Sequence, residues 1–398
     1  MTISNLRHRG KKPKTYLYRD GYYLVDNAGK KLLDLSGGTL VQTLYETTSF
    51  PYNFENYMFT PSYGVTTPEI ERLEARMLER TKQVFDDMVW CSSGSDAIEM
   101  ALKLVLHHAT HMHPDLAPAV AVLKGAYHGN TLFASVLNDR IGKRSNLSKA
   151  AVEVLVLDNI ETAPLNIAAY QQRTGKQLIS VVVDPINITG DFGYSIEQLN
   201  TFVKAMEDLH VITIFDEIAC GCYRHGYFSI ATAMKTPPRI TILSKGLTNG
   251  ITPLSVLLLN NIGTDTLPEN SLSFGHTFGI NPFSERICSW VMERYDKLEA
   301  SGQMKALSDC LQKQALALDS IPGIQARAYV HLLRITITDK TCWHQFKATL
   351  TARQLSMYET IDYDQRYTFI VAPPYDMAPA FLCEIFSGFI HEFKSTCS

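Results

Sequence analysis

From residue 88 onward, short apolar segments alternate with segments of helical periodicity, and this alternation constrains the fold more than any other feature. The apolar segments are rich in Val, Ile and Leu and cover residues 88–91, 119–123, 153–158, 178–184, 211–215, 240–243 and 255–260. Continuous apolar runs of this length are typical of strands buried on both faces. Helical patterns lie between them, including 95–109 and a segment that starts with a capping pattern of Ser195 and Gln198. The alternation predicts an α/β fold, with a mostly parallel sheet and helices on both faces.

The two ends of the chain have other patterns. Residues 16–36 predict a β-meander with glycine-containing turns, residues 68–82 an amphipathic helix, and residues from about 320 a mixture of strands and helices. A chain of 398 residues exceeds one ordinary hydrophobic core. We therefore expect a large domain and a smaller α+β domain. The expected divisions are an N-terminal segment that joins the small domain (1–50), the large domain (51–289) and the C-terminal small domain (290–398).

Composition excludes several classes of function. The net charge of −3 and the isoelectric point of about 6.5 argue against a nucleic-acid-binding protein held by a basic surface. No apolar run approaches the roughly 20 residues of a membrane-spanning helix, and the polar first residues do not resemble a secretory signal. The eight cysteines show no paired spacing, as expected in a reducing compartment. We expect a cytoplasmic protein without nucleic-acid or membrane partners.

Chemically useful side chains follow the predicted strands directly. Because ligands of open parallel sheets bind beyond the carboxyl ends of the strands, these positions are candidates for one site. They are Ser93, Gly94 and Ser95 after the first strand, Tyr127 and His128 after the second, then Asp184, Asp216 and Lys245 after later strands. The helix start at 93–95 leaves backbone N–H groups open to an anion such as phosphate.

Each of these features also has a purely structural interpretation. The Gly/Ser turn is also typical of an ordinary helix cap, the Tyr-His pair of core packing, and Lys245 of a surface residue. Asp216 needs a buried partner, which is either the protonated nitrogen of a heteroaromatic ring or a base such as Arg224. Taken together, an anion site, an aromatic ring, a carboxylate and an amine are what pyridoxal 5'-phosphate (PLP) requires.

At these positions the sequence resembles the class III, or ω-, aminotransferases, which are PLP-dependent transferases of fold type I. "SSGSDAIEMALKL" is similar to the family's phosphate-binding turn, "GAYHGNT" to its ring-stacking loop and "FDEIACGCYRHGYF" to its pyridine-nitrogen motif. "LSKGLTNGITPLSV" resembles the Schiff-base lysine motif, "GHTFGINP" the loop that reaches the neighbouring subunit, and "APPY" the C-terminal Pro-Pro motif.

The resemblance implies a role for each matched residue. Lys245 would attach the cofactor and transfer protons, and Asp216 would pair with the pyridine nitrogen. Tyr127, with His128 beside it, would stack on the ring, and Ile218 would contact the opposite face. Gly94 and Ser95 would hold the phosphate together with Thr277 from a partner chain. That last contact implies a homodimer with shared active sites.

The sequence departs from the ornithine- and GABA-type members, which carry Glu in an "EPxQGE" segment and Arg before the C-terminal "APP". In some of these members the Glu gates the Arg. This chain has "DPINIT", with Asp184 first and Thr189 at the gate position. Ile370 and Val371 precede "APPY", and Arg366 is nearby but out of register. These differences predict a substrate without an α-carboxylate bound in the family's usual way.

Many members of the family have Gln at the position of Ala219. An alanine at this position is similar to the 7,8-diaminopelargonic acid subgroup of the biotin pathway. That subgroup's N-terminal tryptophan pair is absent from "LSGGTLVQTLYE". An aminotransferase that tailors secondary metabolites is therefore an equal expectation, on either a small-molecule or a peptide substrate. The same scaffold also admits a PLP-dependent aminomutase or decarboxylase, and a non-catalytic cofactor-binding protein. An intact Lys245 and Asp216 argue against the last of these.

Two other clusters have alternative explanations. His107 and His111 are four residues apart, as metal ligands on one helix face are, but no HExxH motif is present and Pro114 follows closely. We interpret this histidine-rich segment as a solvated helix end. Cys220 and Cys222 are too close in sequence for a usual zinc site, and we interpret them as packing residues.

Overall fold

The computed structural model describes residues 15–45, 66–112, 118–139, 152–190, 192–262, 277–362 and 364–397. The described strands are β1 (Tyr16–Asp20), β2 (Tyr23–Asp26), β3 (Lys31–Asp34), β4 (Asp87–Cys91), β5 (Pro118–Leu123), β6 (Glu153–Leu157), β7 (Gln177–Val183), β8 (Ile212–Asp216), β9 (Ile240–Leu243), β10 (Ser255–Leu259), β11 (Ile324–Tyr329), β12 (Leu332–Ile337), β13 (Leu355–Ser356), β14 (Tyr358–Ile361) and β15 (Tyr367–Val371). The described α-helices longer than four residues are α1 (Pro68–Arg80), α2 (Gly94–Met112), α3 (Ala163–Thr174), α4 (Ile196–Asp208), α5 (Pro282–Ala300), α6 (Gln303–Asp319), α7 (Lys340–Ala352) and α8 (Pro379–Cys397).

The central sheet has the strand order β4-β10-β9-β8-β7-β5-β6 among the described strands. Neighbouring strands from β9 to β6 are parallel, whereas β10 is antiparallel to both β9 and β4. Two successive antiparallel pairings restore the direction, so β4 runs the same way as β5, β7, β8 and β9. Their carboxyl ends therefore meet at one edge of the sheet. The predicted mostly parallel sheet is confirmed, with β10 as its one reversed strand in the described residues.

Helices cover both faces of this sheet, as predicted. Helix α2 packs on one face through Ile98, Ala101, Leu102 and Val105, all of which are buried. Helices α3 and α4 cover the other face, where Phe202 and its neighbours form a second cluster. Because both faces are covered, β7 is buried along nearly its whole length, which explains its continuous apolar sequence.

Local signals fix where the helices begin. Thr67 accepts a hydrogen bond from the backbone N–H of Ile70, at 3.3 Å, and Pro68 occupies the first turn of α1. Ser195 and Gln198 form the predicted capping box at the start of α4. These contacts satisfy backbone donors that the first turn of a helix leaves without an intrahelical partner.

The N-terminal meander (β1–β3) is antiparallel, as predicted, and its last strand pairs in parallel with β13 from the C-terminal part of the chain. Strands β11, β12, β15 and β14 form a separate antiparallel sheet, against which α6 and α7 pack, and α8 packs against these two helices. The β3–β13 pairing supports the proposal that segment 1–50 joins the small domain. Helix α5 spans the boundary proposed at residues 289–290. The three domain limits stay a prediction.

Among the described helices, none combines the length and the apolar character that crossing a membrane requires. The cytoplasmic location stays a prediction.

Candidate active site

A cavity of about 270 Å³ lies at the carboxyl edge of the central sheet. Its lining includes Gly94, Ser95, Tyr127, His128, Asp184, Asp216, Ile218 and Lys245. These residues follow five strands that are far apart in sequence, and the common direction of those strands brings them together. Except for Thr277, the predicted cofactor-binding residues therefore meet in one cavity.

The start of α2 forms one wall of the cavity. Ser93 accepts a hydrogen bond from the backbone N–H of Asp96 (3.3 Å), and the Asp96 carboxylate accepts one from the backbone N–H of Ser92 (2.9 Å). This confirms the predicted cap. Ser95 accepts a hydrogen bond from the backbone N–H of Asn130 (3.2 Å), which ties the helix start to the loop after β5. The positive end of a 19-residue helix thus faces the cavity.

Two glycines allow this close approach of helix and loops. A Cβ atom at Gly129 would lie 2.5 Å from Ser95 Oγ, and Gly129 has a φ of +134°, where other residues are strained. A Cβ atom at Gly94 would lie 2.8 Å from Ile218 Cδ1. The glycines therefore keep the backbone around Ser95 open, which suits an anion such as a phosphate group.

Tyr127 and Ile218 are the flat and apolar surfaces of the cavity. The Tyr127 side chain is about one-third exposed (38%), whereas the neighbouring His128 is buried. The backbone N–H of Ile218 donates to Asp216 Oδ1 at 3.1 Å, which fixes Ile218 relative to the carboxylate. An aromatic ring and a branched aliphatic side chain can enclose a heteroaromatic ring between them.

Asp216 is buried and is bonded to a histidine, not to Arg224. Its Oδ2 atom lies 2.8 Å from His128 Nδ1, and the His128 side chain has no exposed surface. Arg224 instead donates to backbone carbonyl groups, including those of Pro373 and Gln42. Asp216 is therefore not paired with Arg224, but the structural alternative of a salt bridge with another base is met by His128. Asp216 remains directed at the cavity, where a protonated ring nitrogen is a suitable partner.

A second carboxylate, which sequence reasoning gave no chemical role, lies beside this pair. Asp184 Oδ1 is 3.3 Å from His128 Nδ1. Burial is the main reason that the pKa of Asp184 is raised to about 7. His128 opposes this increase, and Asp216 adds to it. Burial lowers the pKa of His128, but Asp184 and Asp216 more than compensate and raise it above its usual value. The signal for Asp184 was present in the sequence, because it follows the apolar run of β7 as Asp216 follows that of β8.

Lys245 follows β9 and begins a short 3₁₀ turn, Lys245–Leu247. It is half-buried and lines the cavity, and the structural interpretation of a plain surface lysine is therefore wrong. Its φ is +42°, in the left-handed region that non-glycine residues rarely adopt. Such strain is retained where the surroundings require one particular direction of a side chain.

Thr277 is exposed and is not part of the cavity lining within this chain. The carbonyl of the next residue, Phe278, accepts a hydrogen bond from Ser92 Oγ at 3.0 Å. The turn that carries Thr277 therefore lies against the residues that precede α2. Gly275 and His276 of the same motif lie outside the described residues.

The positions of the missing gate are occupied by uncharged, buried residues. Thr189 donates to the carbonyl of Gly125, and Ile370 and Val371 have no exposed surface. Ile370 packs in an apolar cluster whose other members include the cavity-lining residues Leu40, Ile186 and Cys220, with Ala219 and Tyr358 against it.

Neither nearby arginine lines this cavity. Arg366 is held by the Asp362 carboxylate at 2.9 Å and by Asp364 at 3.0 Å. Arg334 is paired with Ile370 across the β12–β15 ladder, donates to the carbonyl of Gly190 (2.7 Å) and lies over the ring of Phe192.

The structure gives little support to the alternative that the histidine or cysteine clusters are metal sites. Within the described ranges, one group has metal-ligand geometry, and it consists of His128, Asp184 and Asp216 of the cavity itself. His107 lies on α2, whereas the side chain of His111 and all of His113 fall outside the described residues. Cys220 and Cys222 are buried, and burial raises the pKa of both thiols, in line with their interpretation as packing residues.

Comparisons with known proteins agree with this geometry. The family model "Aminotransferase class-III" matches residues 8–326. The mitochondrial acetylornithine aminotransferase of Saccharomyces cerevisiae is 26% identical over 318 residues, which cover 77% of this chain and 72% of that protein. Adenosylmethionine-8-amino-7-oxononanoate aminotransferase of Synechococcus elongatus is 25% identical over 284 residues, covering 66% of this chain and 65% of that protein.

Solved structures share the fold. Adenosylmethionine-8-amino-7-oxononanoate aminotransferase of Methanocaldococcus jannaschii superposes with a TM-score of 0.84 at 17% identity, over 98% of this chain and 95% of that chain. An amine transaminase from an uncultivated Pseudomonas species, solved in its PLP-bound form, has a TM-score of 0.82 at 16% identity, over 100% and 98% of the two chains.

The fold and the cavity define a PLP-dependent transaminase of fold type I. The buried Asp216–His128 pair and the glycine-lined helix start fit a cationic ring and a phosphate, respectively. The chain belongs to the class III aminotransferases.

Proposed function

We propose that this transaminase acts on an amine that carries no carboxylate at the position where its ornithine-type relatives bind one. The proposal is supported chiefly by Ile370, which is fully buried just before the "APPY" segment, where the resemblance to those relatives implies an arginine. A carboxylate placed there would lose its water without gaining a cationic partner, which costs several kcal/mol or more. An apolar substituent would instead extend the cluster around Leu40 and Ile186.

The catalytic roles are proposed for this chain's own residues. When bound, PLP supplies an aldehyde carbon that accepts an amino group and a cationic ring that withdraws electrons from it. The Nζ atom of Lys245 attaches the cofactor in the resting protein, then takes up and returns a proton while the donor is bound. Asp216 keeps the ring nitrogen protonated, because a buried carboxylate stabilises the cationic form.

The remaining cavity residues orient the cofactor. Tyr127 and Ile218 would contact its two faces, and the open backbone at Gly94 and Ser95 would bind the phosphate. Residues that hold the cofactor in one orientation would keep it aligned with Lys245, and orientation of this kind is a main source of catalysis.

The identity of the substrate is proposed at two levels. The uncharged wall that Leu40, Ile186 and Cys220 contribute to the cavity supports an amine with an apolar body or with a carboxylate remote from the amino group. The Synechococcus elongatus relative is named for adenosylmethionine and 8-amino-7-oxononanoate, and Ala219 supports a related substrate. A tailoring reaction on a secondary metabolite or a peptide is supported by the same neutral wall.

A pair of matched donors tests the substrate proposal. 1-Phenylethylamine and phenylglycine share a skeleton, but the second has a carboxylate in place of the methyl group. We expect conversion of the bound cofactor, followed by visible absorbance, to be about tenfold or more faster with the amine. Equal or faster conversion of phenylglycine would contradict the proposal. Arg334→Gln serves as the control, because an unchanged ratio shows that Arg334 does not bind the carboxylate.

Product analysis with accepted donors separates transamination from its alternatives. Transfer gives a carbonyl product from the donor and a new amine from the acceptor, with ping-pong kinetics. An isomerised amine without net exchange indicates an aminomutase, and released carbon dioxide indicates a decarboxylase. Bound cofactor without turnover across a broad amine panel indicates a binding protein.

We further propose a homodimer in which Thr277 of the partner subunit contacts the phosphate. The exposed Thr277 lies in a turn beside the start of α2, next to the 66% exposed side chain of Phe278. A threonine that the resemblance assigns to the phosphate, but that does not line the cavity of its own chain, is consistent with a contribution from a second subunit. Size-exclusion chromatography with light scattering tests the dimer.

Mixed dimers test the sharing of sites. In a heterodimer of Lys245→Ala and Thr277→Ala subunits, the one site with an intact lysine receives a normal Thr277 from its partner. That site should bind PLP with wild-type affinity. Affinity that stays as weak as in the Thr277→Ala homodimer would show that each chain uses its own threonine.

A further inference from the structure

Asp184 is a buried titratable group that the proposed reaction leaves without a role. Asp184 directly follows β7, which pairs in parallel with β8, the strand that ends at Asp216. Only 15% of the Asp184 side chain is exposed. Both carboxylates approach the same atom, His128 Nδ1, at 3.3 Å for Asp184 and 2.8 Å for Asp216. In the described residues, His128 Nε2 is buried and has no hydrogen-bond partner.

The chemistry of imidazole restricts what these distances allow. Nδ1 carries at most one hydrogen, so it donates a good hydrogen bond to one carboxylate at a time. Two ionised carboxylates at this separation repel each other, and one of them gains from holding a proton. The shorter distance assigns the hydrogen bond to Asp216 and leaves Asp184 as the group that takes up the proton.

We propose that Asp184 is a positioning residue that acts on Asp216 through His128. When Asp184 carries a proton, His128 donates to Asp216 alone and holds its carboxylate toward the cavity. When Asp184 is ionised, it competes for the same Nδ1 hydrogen and adds a negative charge beside the cofactor site. The inference rests on the proposed role of Asp216.

The surroundings of Asp184 place this change in the neutral range. The titratable groups that face it are His128 after β5, Asp216 at the end of β8, Cys220 in the following turn and Lys245 after β9. Burial has the largest influence on the pKa of Asp184 and raises it. His128 and Lys245 oppose this increase, whereas Asp216 adds to it, and the resulting pKa is about 7.

The first test is unfolding of the full-length chain by urea at pH 6 and at pH 8, without added cofactor. The pKa of Asp184 is raised in the folded state from its usual 3.8. Its contribution to stability is therefore complete below about pH 4 and is lost as the pH rises through about 7. Relative to Asp184→Asn, the folded-to-unfolded ratio of the wild type should fall about tenfold between pH 6 and 8, or about 1.4 kcal/mol. An identical pH dependence of the two proteins would overturn the proposal.

The second test reports on position and not on stability alone. In the PLP-loaded full-length protein, the visible absorbance of the lysine-linked cofactor changes with pH. Loss of the Asp184 charge should move the midpoint to lower pH by about half a unit or more in Asp184→Asn. Asp184→Glu should restore the wild-type midpoint. Midpoints that coincide in wild type and Asp184→Asn would overturn the positioning role, whatever the unfolding result.

Asp139→Asn is the matched control. Asp139 accepts a hydrogen bond from the backbone N–H of Gly125 and lies in the loop after β5 with His128, whose Nδ1 atom is hydrogen-bonded to Asp216. It should leave both pH dependences unchanged, and a shift as large as that of Asp184→Asn would overturn the assignment. If the wild type takes up no PLP, the proposed function fails, but the urea comparison still tests the proton on Asp184.

Discussion

Replacement of Arg224 offers the most quantitative test of how the site is held together. Arg224 is fully buried, and its guanidinium donates to the carbonyl of Pro373 at 2.6 Å and to that of Gln42 at 2.7 Å. Longer contacts reach the carbonyls of Ala372 (3.4 Å) and His331 (3.5 Å). One side chain thus connects the loop after β8 with the N-terminal segment and the "APPY" segment.

Arg224→Met keeps the aliphatic bulk but removes the donors. Each buried carbonyl left without a donor costs about 1–3 kcal/mol, so the two short contacts imply a loss of about 4 kcal/mol in the free energy of unfolding. Urea unfolding of the full-length protein measures it. Arg224→Lys keeps the charge but not the forked geometry, and we expect about half of that loss. A loss below about 1 kcal/mol for Arg224→Met would refute the reasoning.

Three further substitutions test the cofactor site. Gly129→Ala should weaken PLP binding about tenfold or more in an absorbance titration, because its Cβ would displace Ser95 at a backbone φ of +134°. Wild-type PLP affinity in Gly129→Ala would show that the loop moves enough to accommodate the added methyl group. Asp216→Ala should retain the lysine linkage yet lose about a hundredfold or more in turnover. A smaller loss would show that the carboxylate does not act on the ring nitrogen. Thr277→Ala should weaken cofactor binding about tenfold and change turnover at saturating PLP much less, whereas the reverse pattern would exclude a phosphate contact.

The sheet and the site were predictable because both depend on strand endings. Apolar runs of four to seven residues identify buried strands, and a common strand direction carries their ends to one edge. Gly94, Tyr127, Asp216 and Lys245 were found in this way and meet in the cavity.

The direction of β10 and the partners of the buried polar groups were not predictable in this way. A strand's direction depends on which neighbours it pairs with, and the sequence of β10 is as apolar as those of the parallel strands in the same sheet. Arg224 was one candidate partner of Asp216, yet it donates to carbonyls 149 and 182 residues away. Partners at such sequence separations are determined by tertiary packing.

The most direct test of the account is covalent capture of the cofactor on Lys245. The purified wild-type protein is mixed with PLP, its visible spectrum is recorded, and borohydride reduction is followed by peptide mass spectrometry. We expect a yellow protein with one reduced phosphopyridoxyl group on Lys245, and a folded Lys245→Ala variant without it. A wild-type protein that stays colourless, or an adduct on another lysine, would contradict the account.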